Sequence, residues 1–145
     1  PRMNKSVTCI IGSIAVLALV GGILWYSKTT TQAPIVQGIP DMLVVDAPKA
    51  GSVVVSPLSV KGSARGMFYF EASFPIELQD ANRQEIAIVP AQAQGEWMTE
   101  DFVPFEGTLT FEKPSTPTGF LVFKKDNPSG LPEHDQSFEM SVRFE

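Results

Sequence analysis

One hundred and forty-five residues accommodate one ordinary domain plus an appendage and leave little room for two cores. The formal charge of −5 is unevenly spread: residues 1–40 carry Arg2, Lys5 and Lys28 with no acid, while residues 41–145 carry eight basic and sixteen acidic side chains, a net of −8. So acidic a domain repels phosphate backbones, which excludes nucleic acid as an expected partner. The single cysteine, Cys9, excludes an intrachain disulfide and a cysteine-based zinc site, and the single histidine, His134, permits at most one histidine-dependent catalytic arrangement.

Residues 1–6 read as a cytoplasmic tail. From Val7 to Tyr26 run twenty uncharged residues, fifteen of them strongly apolar. At about 1.5 Å per residue a helix of that length covers roughly 30 Å, the hydrocarbon thickness of a bilayer. Trp25 and Tyr26 suit the headgroup interface, where a ring is half apolar and half wet. Arg2, Lys5 and the amino terminus outnumber Lys28, so the positive-inside rule places the short tail in the cytoplasm and the rest of the chain outside it. The alternative is a cleavable signal peptide, whose apolar core is usually about 7–15 residues, shorter than this one. Cys9 sits within the apolar run, which argues against a bacterial lipoprotein attachment site. Residues 27–40, with Thr29–Thr31, Pro34, Gly38 and Pro40, are too polar to bury and read as a flexible tether reaching roughly 20 Å.

Beyond the tether the apolar residues recur at every second position. Leu58, Val60, Gly62 and Ala64 share one face, and Phe138, Met140, Val142 and Phe144 share another. The longest run is Phe68, Phe70, Ala72, Phe74, Ile76 and Leu78, set against Tyr69, Glu71, Ser73, Pro75, Glu77 and Gln79. Side chains of a strand alternate between faces, so each run predicts a half-buried β-strand. Weaker alternation predicts strands near 42–46, 52–56, 86–91, 107–112 and 119–125, and the best helical candidate is at most one turn at Thr99–Val103. The fold class is therefore all-β: an immunoglobulin-like antiparallel sandwich of about 7–9 strands over residues 41–145. All ten phenylalanines fall in it, and their burial must replace a cross-core disulfide. Proline belongs on an edge strand or at a bend where one strand ends and another begins, and Pro75 inside the longest run is read as a strand that bends or changes sheet near Ser73–Pro75.

Two loops are candidate partner-binding sites. The first runs from Asp126 and Asn127 to Glu133, His134 and Asp135, longer than a usual hairpin connection. Its oxygen-bearing side chains do not reproduce the spacing of a calcium loop, so turn chemistry is the plainer account and no metal is expected. His134, between two carboxylates and with no G-x-S-x-G elbow in the chain, reads as a solvated loop residue. The second holds Trp97 and Asp101, with Glu96 and Glu100 beside them. A lone tryptophan there is either a plug in the sandwich or an exposed partner anchor. Neither a phosphate-loop nor a dinucleotide fingerprint occurs, so no cofactor and no catalytic residue is expected.

Ser56-Pro57-Leu58 with Val60, Gly62 and Ala64, then Glu71, Leu78-Gln79-Asp80-Ala81, Gly95, Phe105-Glu106-Gly107-Thr108-Leu109-Thr110-Phe111 and Val142-Arg143-Phe144 follow in an order that resembles the second subtype of the Gmad-type immunoglobulin-like domain, associated with bacterial spore germination. The resemblance covers about 42–145. It implies an extracytoplasmic bacterial sandwich acting as a binding or assembly module, without catalytic residues to carry over. The expected function is thus a non-enzymatic, single-pass membrane protein of the bacterial cytoplasmic membrane. Its outward domain would bind another envelope protein or a cell-wall component. The rival is an envelope protein that binds or cleaves wall glycans through acidic and aromatic loop residues. A buried Trp97 with no pocket gathering two carboxylates would weaken that rival; an exposed Trp97 in an acidic cleft would favour it.

Overall fold

The computed structural model describes residues 36–37 and 41–145. The expected membrane span 7–26, its interface residues Trp25 and Tyr26, the tail 1–6 and most of the tether lie outside the described residues. No helix among the described residues is long and apolar enough to cross a membrane.

Nine strands run in chain order: β1 (Val36–Gln37), β2 (Leu43–Ala47), β3 (Val53–Val54), β4 (Leu58–Arg65), β5 (Ser73–Asp80), β6 (Glu85–Ala93), β7 (Phe102–Leu109), β8 (Thr118–Lys124) and β9 (Ser137–Phe144). Two single 3-10 turns, Gly66–Phe68 and Pro132–His134, interrupt the connections. The strands form one sheet in the order β1-β9-β8-β5-β6-β7-β4-β2, with β3 parallel to the end of β9. Every other pairing is antiparallel.

The sheet curls into two facing layers because its middle joint is short. β6 pairs with β5 along most of its length but with β7 only through Gln92↔Glu106 and Ala93↔Phe105. Past that hinge, β7, β4 and β2 lie over β5, β8 and β9. Phe105 of β7 meets Phe74 of β5 edge-on at 5.0 Å and Phe123 of β8 at 6.0 Å. Phe68 and Tyr69 extend the ring cluster onto Phe74 at 4.9 and 5.1 Å. Such ring pairs add about 0.5–1.5 kcal/mol each beyond the area they bury, which is how the buried Phe68, Phe74, Phe105, Phe123, Phe138 and Phe144 serve where many sandwiches use a disulfide, while Phe70 and Phe102 stay exposed. All of this core lies between Leu43 and Phe144.

Period-two reading holds for β4 and β9, whose apolar positions are buried and whose alternates face out. It fails over 68–72. Gly66–Phe68 turns helically, and Glu71 and Ala72 take φ of 50° and 64°, so the strand starts only at Ser73. Phe68 is buried and Glu71 exposed as expected, but the turn swaps the two residues between them: Tyr69 is buried, its hydroxyl donating to the Val103 carbonyl at 2.7 Å, and Phe70 is exposed. Burial pushes the Tyr69 phenol up to about 12. Thr99–Asp101 forms bends rather than a helical turn, and Phe102–Val103 already belong to β7.

Pro75 neither ends a strand nor changes sheet. It sits within β5 opposite Pro90 of β6, and β8 pairs with β5 only from Ile76 onward. Ala93 N–H donates to the Ala72 carbonyl, so alternation along the antiparallel ladder makes 75↔90 a pair that exchanges no hydrogen bonds. Both prolines therefore lack a donor where the ladder asks for none. The edge half of the expectation is met locally, since Pro75 lies beyond the reach of β8.

Candidate functional site

Three connections meet at one end of the domain: 66–72 between β4 and β5, 94–101 between β6 and β7, and 125–136 between β8 and β9. They are fastened to one another by backbone hydrogen bonds. Gly66 N–H donates to the Asp101 carbonyl at 3.1 Å, and Asp126 N–H donates to the Phe68 carbonyl at 3.1 Å. Gly66 is required by this approach. A Cβ there would fall inside the carbonyl oxygens of both Trp97 and Thr99. Arg65, at the end of β4, adds a clamp: its guanidinium donates to the Glu100 carbonyl and stacks 4.2 Å from the centre of the Phe102 ring.

The 125–136 loop is organised around Asn127. Its Nδ2 donates to the Leu131 carbonyl at 2.8 Å and to Asp135 Oδ1 at 2.7 Å, while its Oδ1 accepts the Ser129 hydroxyl at 2.5 Å. Gly130, at φ 67°, closes the turn by donating to the Asn127 carbonyl. His134 Nδ1 lies 3.1 Å from Ser129 Oγ. The serine hydroxyl donates to the Asn127 amide oxygen, and its contact with His134 is a second hydrogen bond whose direction follows the imidazole tautomer. Asp126 and Asn127 are half-buried; Glu133, His134 and Asp135 are exposed. The structure thus joins Asn127 directly to Asp135, and to His134 through Ser129, and leaves the side chains of Asp126 and Glu133 outside this network.

Trp97 is half-buried against the core, between the two alternatives that the sequence leaves open. Asp101 is exposed, and with Glu96 it lines an open depression of about 330 Å³ that Thr99, Phe102 and Pro104 also border. Trp97 and Glu100 do not border it. Acid–base cleavage of a glycoside needs one carboxyl withdrawn from water, and both of these face it. Among the described residues no group of three His, Cys, Asp or Glu side chains is placed to hold a metal ion.

Sequence reasoning missed the apolar character of this end. Met67, Phe70, Met98, Phe102 and Leu131 are all substantially exposed there. Met98 and Leu131 lie in loops with no periodicity to reveal them, and the 3-10 turn that presents Met67 and Phe70 leaves no mark on a period-two pattern. It also missed the outer face of β5. Two depressions of about 300 and 310 Å³ adjoin at Pro75, one bordered by Ile88 and Pro90, the other by Lys124, Asp126, Asn127 and Asp135. Two residues along β5 from Pro75, Glu77 is buried, its Oε2 ion-paired with Lys124 and its Oε1 accepting Gln79 Nε2 at 2.7 Å. Burial pushes its carboxyl up, but the hydrogen bonds from Lys124 and Gln79 and the lysine charge outweigh it, so Glu77 ionises below its ordinary value of 4.5.

Two residues of the sequence resemblance, Ser56 and Asp80, have structural work at the opposite end. Ser56 Oγ accepts the Phe111 N–H at 3.0 Å, tying the entry of β4 to the exit of β7. Asp80 Oδ1 accepts the Asn82 and Gln84 N–H groups and so shapes the β5–β6 hairpin. A comparison with curated proteins finds no match. The family model described as the immunoglobulin-like domain of bacterial spore germination, Gmad2, matches residues 42–131, from the start of β2 into the 125–136 loop. With more than half of its length matched and a curled all-β fold whose hairpins rest on those same residues, this chain belongs to the Gmad2 family of immunoglobulin-like domains.

Proposed function

We propose that the protein is a non-enzymatic binding or assembly module held at the bacterial cytoplasmic membrane by residues 7–26, with residues 41–145 outside the cytoplasm and a role in spore germination or a related envelope process. The observation that carries the binding reading is the concentration of exposed Met67, Phe70, Met98 and Leu131 on three mutually fastened loops, with Phe102 at the start of β7 beside them, at one end of the domain. Loops held rigidly on a sandwich lose little entropy on docking, which favours recognition over chemistry. The partner is another envelope protein. A cell-wall glycan is the second reading, favoured by the open depression that Glu96 and Asp101 border.

Crosslinking in intact cells followed by purification of the tethered chain tests this. Recovery of a defined envelope protein supports the module; recovery of glycan fragments alone transfers support to the second reading. Protease added to spheroplasts tests the topology. Residues beyond Tyr26 should be digested without lysis, and their protection until lysis would reverse the orientation.

A further inference from the structure

We infer that the loop end docks a basic protein segment bearing apolar side chains, an inference that rests on the binding-module reading above and adds the chemistry of the partner. Five of the nine large hydrophobic side chains exposed among the described residues lie at this end, so it is the most apolar part of the exposed surface. The same three loops, 66–72, 94–101 and 125–136, carry seven carboxylates and one lysine, Lys125, with Arg65 flanking them at the end of β4. None of the seven takes part in an ion pair among the described residues; the three pairs present are Lys61–Glu106, Arg83–Glu139 and Lys124–Glu77. The connections at the opposite end, 48–52, 81–84 and 110–117, carry three basic residues and one acid. The molecule is therefore polar from end to end, with its apolar surface at the negative pole.

That pairing selects the occupant. An apolar surface ringed by unpaired carboxylates is repelled by an anionic lipid headgroup layer and attracts a cationic chain. The depression bordered by Glu96, Asp101 and Phe102 has room for a lysine or arginine side chain, with two carboxylates for its charge. Arg65 already lies over the Phe102 ring, so an incoming cation would be held by the two carboxylates and not by that face of the ring. Met67 and Met98, unbranched and adaptable, would cover the partner's apolar side chains.

The test uses residues 36–145, whose buried core is closed within 43–144. Calorimetric titration with a short alternating Lys/Leu peptide should show binding that weakens as salt is raised, and an alternating Glu/Leu peptide should not bind. The double variant E96Q/D101N should weaken the Lys/Leu peptide about five- to tenfold, as two contacts at a partly desolvated rim would. M67S/M98S should weaken it by a similar factor. E85Q/E112Q, which removes the same charge from exposed sites remote from the loops, should change it by less than about twofold. All these positions are exposed except that Asp101 also offers a carbonyl to Gly66, which the substitution leaves in place. Equal weakening by all three charge and apolar variants, or by none, overturns the inference. So does binding to phosphatidylglycerol vesicles that the variants do not alter, or self-association of the fragment in the absence of peptide. In cells, failure to capture any protein sinks the binding-module reading itself. Capture of a partner whose yield is indifferent to E96Q/D101N and M67S/M98S sinks only this one.

Discussion

Replacing Lys124 with methionine keeps most of the side-chain stem and deletes the cation that faces the buried Glu77 carboxylate. Breaking a fully buried ion pair by removing one partner costs about 3–5 kcal/mol, because a charge is left behind without compensation. Here the glutamate side is buried and the lysine side is nearly half exposed, so water can reach part of the gap. The cost at neutral pH should fall to about 1–3 kcal/mol. The pH dependence carries the sharper signature. In the native chain Glu77 ionises below its ordinary value, so its contribution is present above the unfolded-state value and fades as pH falls through the lower folded one. In Lys124→Met the burial remains while the lysine charge and hydrogen bond are gone, so the carboxyl moves the other way. Its penalty is then full at neutral pH and relieved by protonation as pH falls towards 4.5. Urea unfolding followed by circular dichroism across that range should show the two proteins furthest apart at neutral pH and converging in acid. Glu77→Gln combined with Lys124→Met should recover part of the loss at neutral pH. Equal stability at neutral pH, or a gap that widens on acidification, would refute the account of Glu77 as a buried carboxylate held ionised by Lys124.

Gly66→Ala should destabilise the domain by about 1–3 kcal/mol, since a Cβ there meets the Trp97 and Thr99 carbonyls and only backbone movement relieves it; thermal unfolding measures the cost, and increased amide exchange confined to 94–101 would locate it. Asp80→Ala should cost about 2 kcal/mol in the same assay by stripping the acceptor from the Asn82 and Gln84 N–H groups, whereas Asp80→Asn, which keeps an oxygen in place, should retain most of the stability.

Residue order alone was enough to determine the strands whose two faces meet different solvents. β4 and β9 are buried on one side and wet on the other over their whole length, so alternation in Leu58–Arg65 and Ser137–Phe144 maps directly onto the pleat. The 125–136 loop was equally legible, because Asn, Ser, Gly and Pro carry their turn chemistry within a few neighbouring residues. The apolar twenty-residue run and the charge division at residue 40 are likewise properties of composition. What tertiary structure decided was everything that depends on a neighbour distant in the chain. Phe70 alternates correctly for a core position, yet the 3-10 turn at Gly66–Phe68, pressed against the 94–101 loop, turns it outward and draws Tyr69 in. Glu77 obeys the pattern by pointing outward and is buried all the same, under Lys124 from the adjacent strand. Pro75 finds its harmless register only because Pro90 stands opposite. The candidate docking surface is of this kind too: its side chains come from three loops widely separated in sequence, and only closure of the curled sheet brings them to one end.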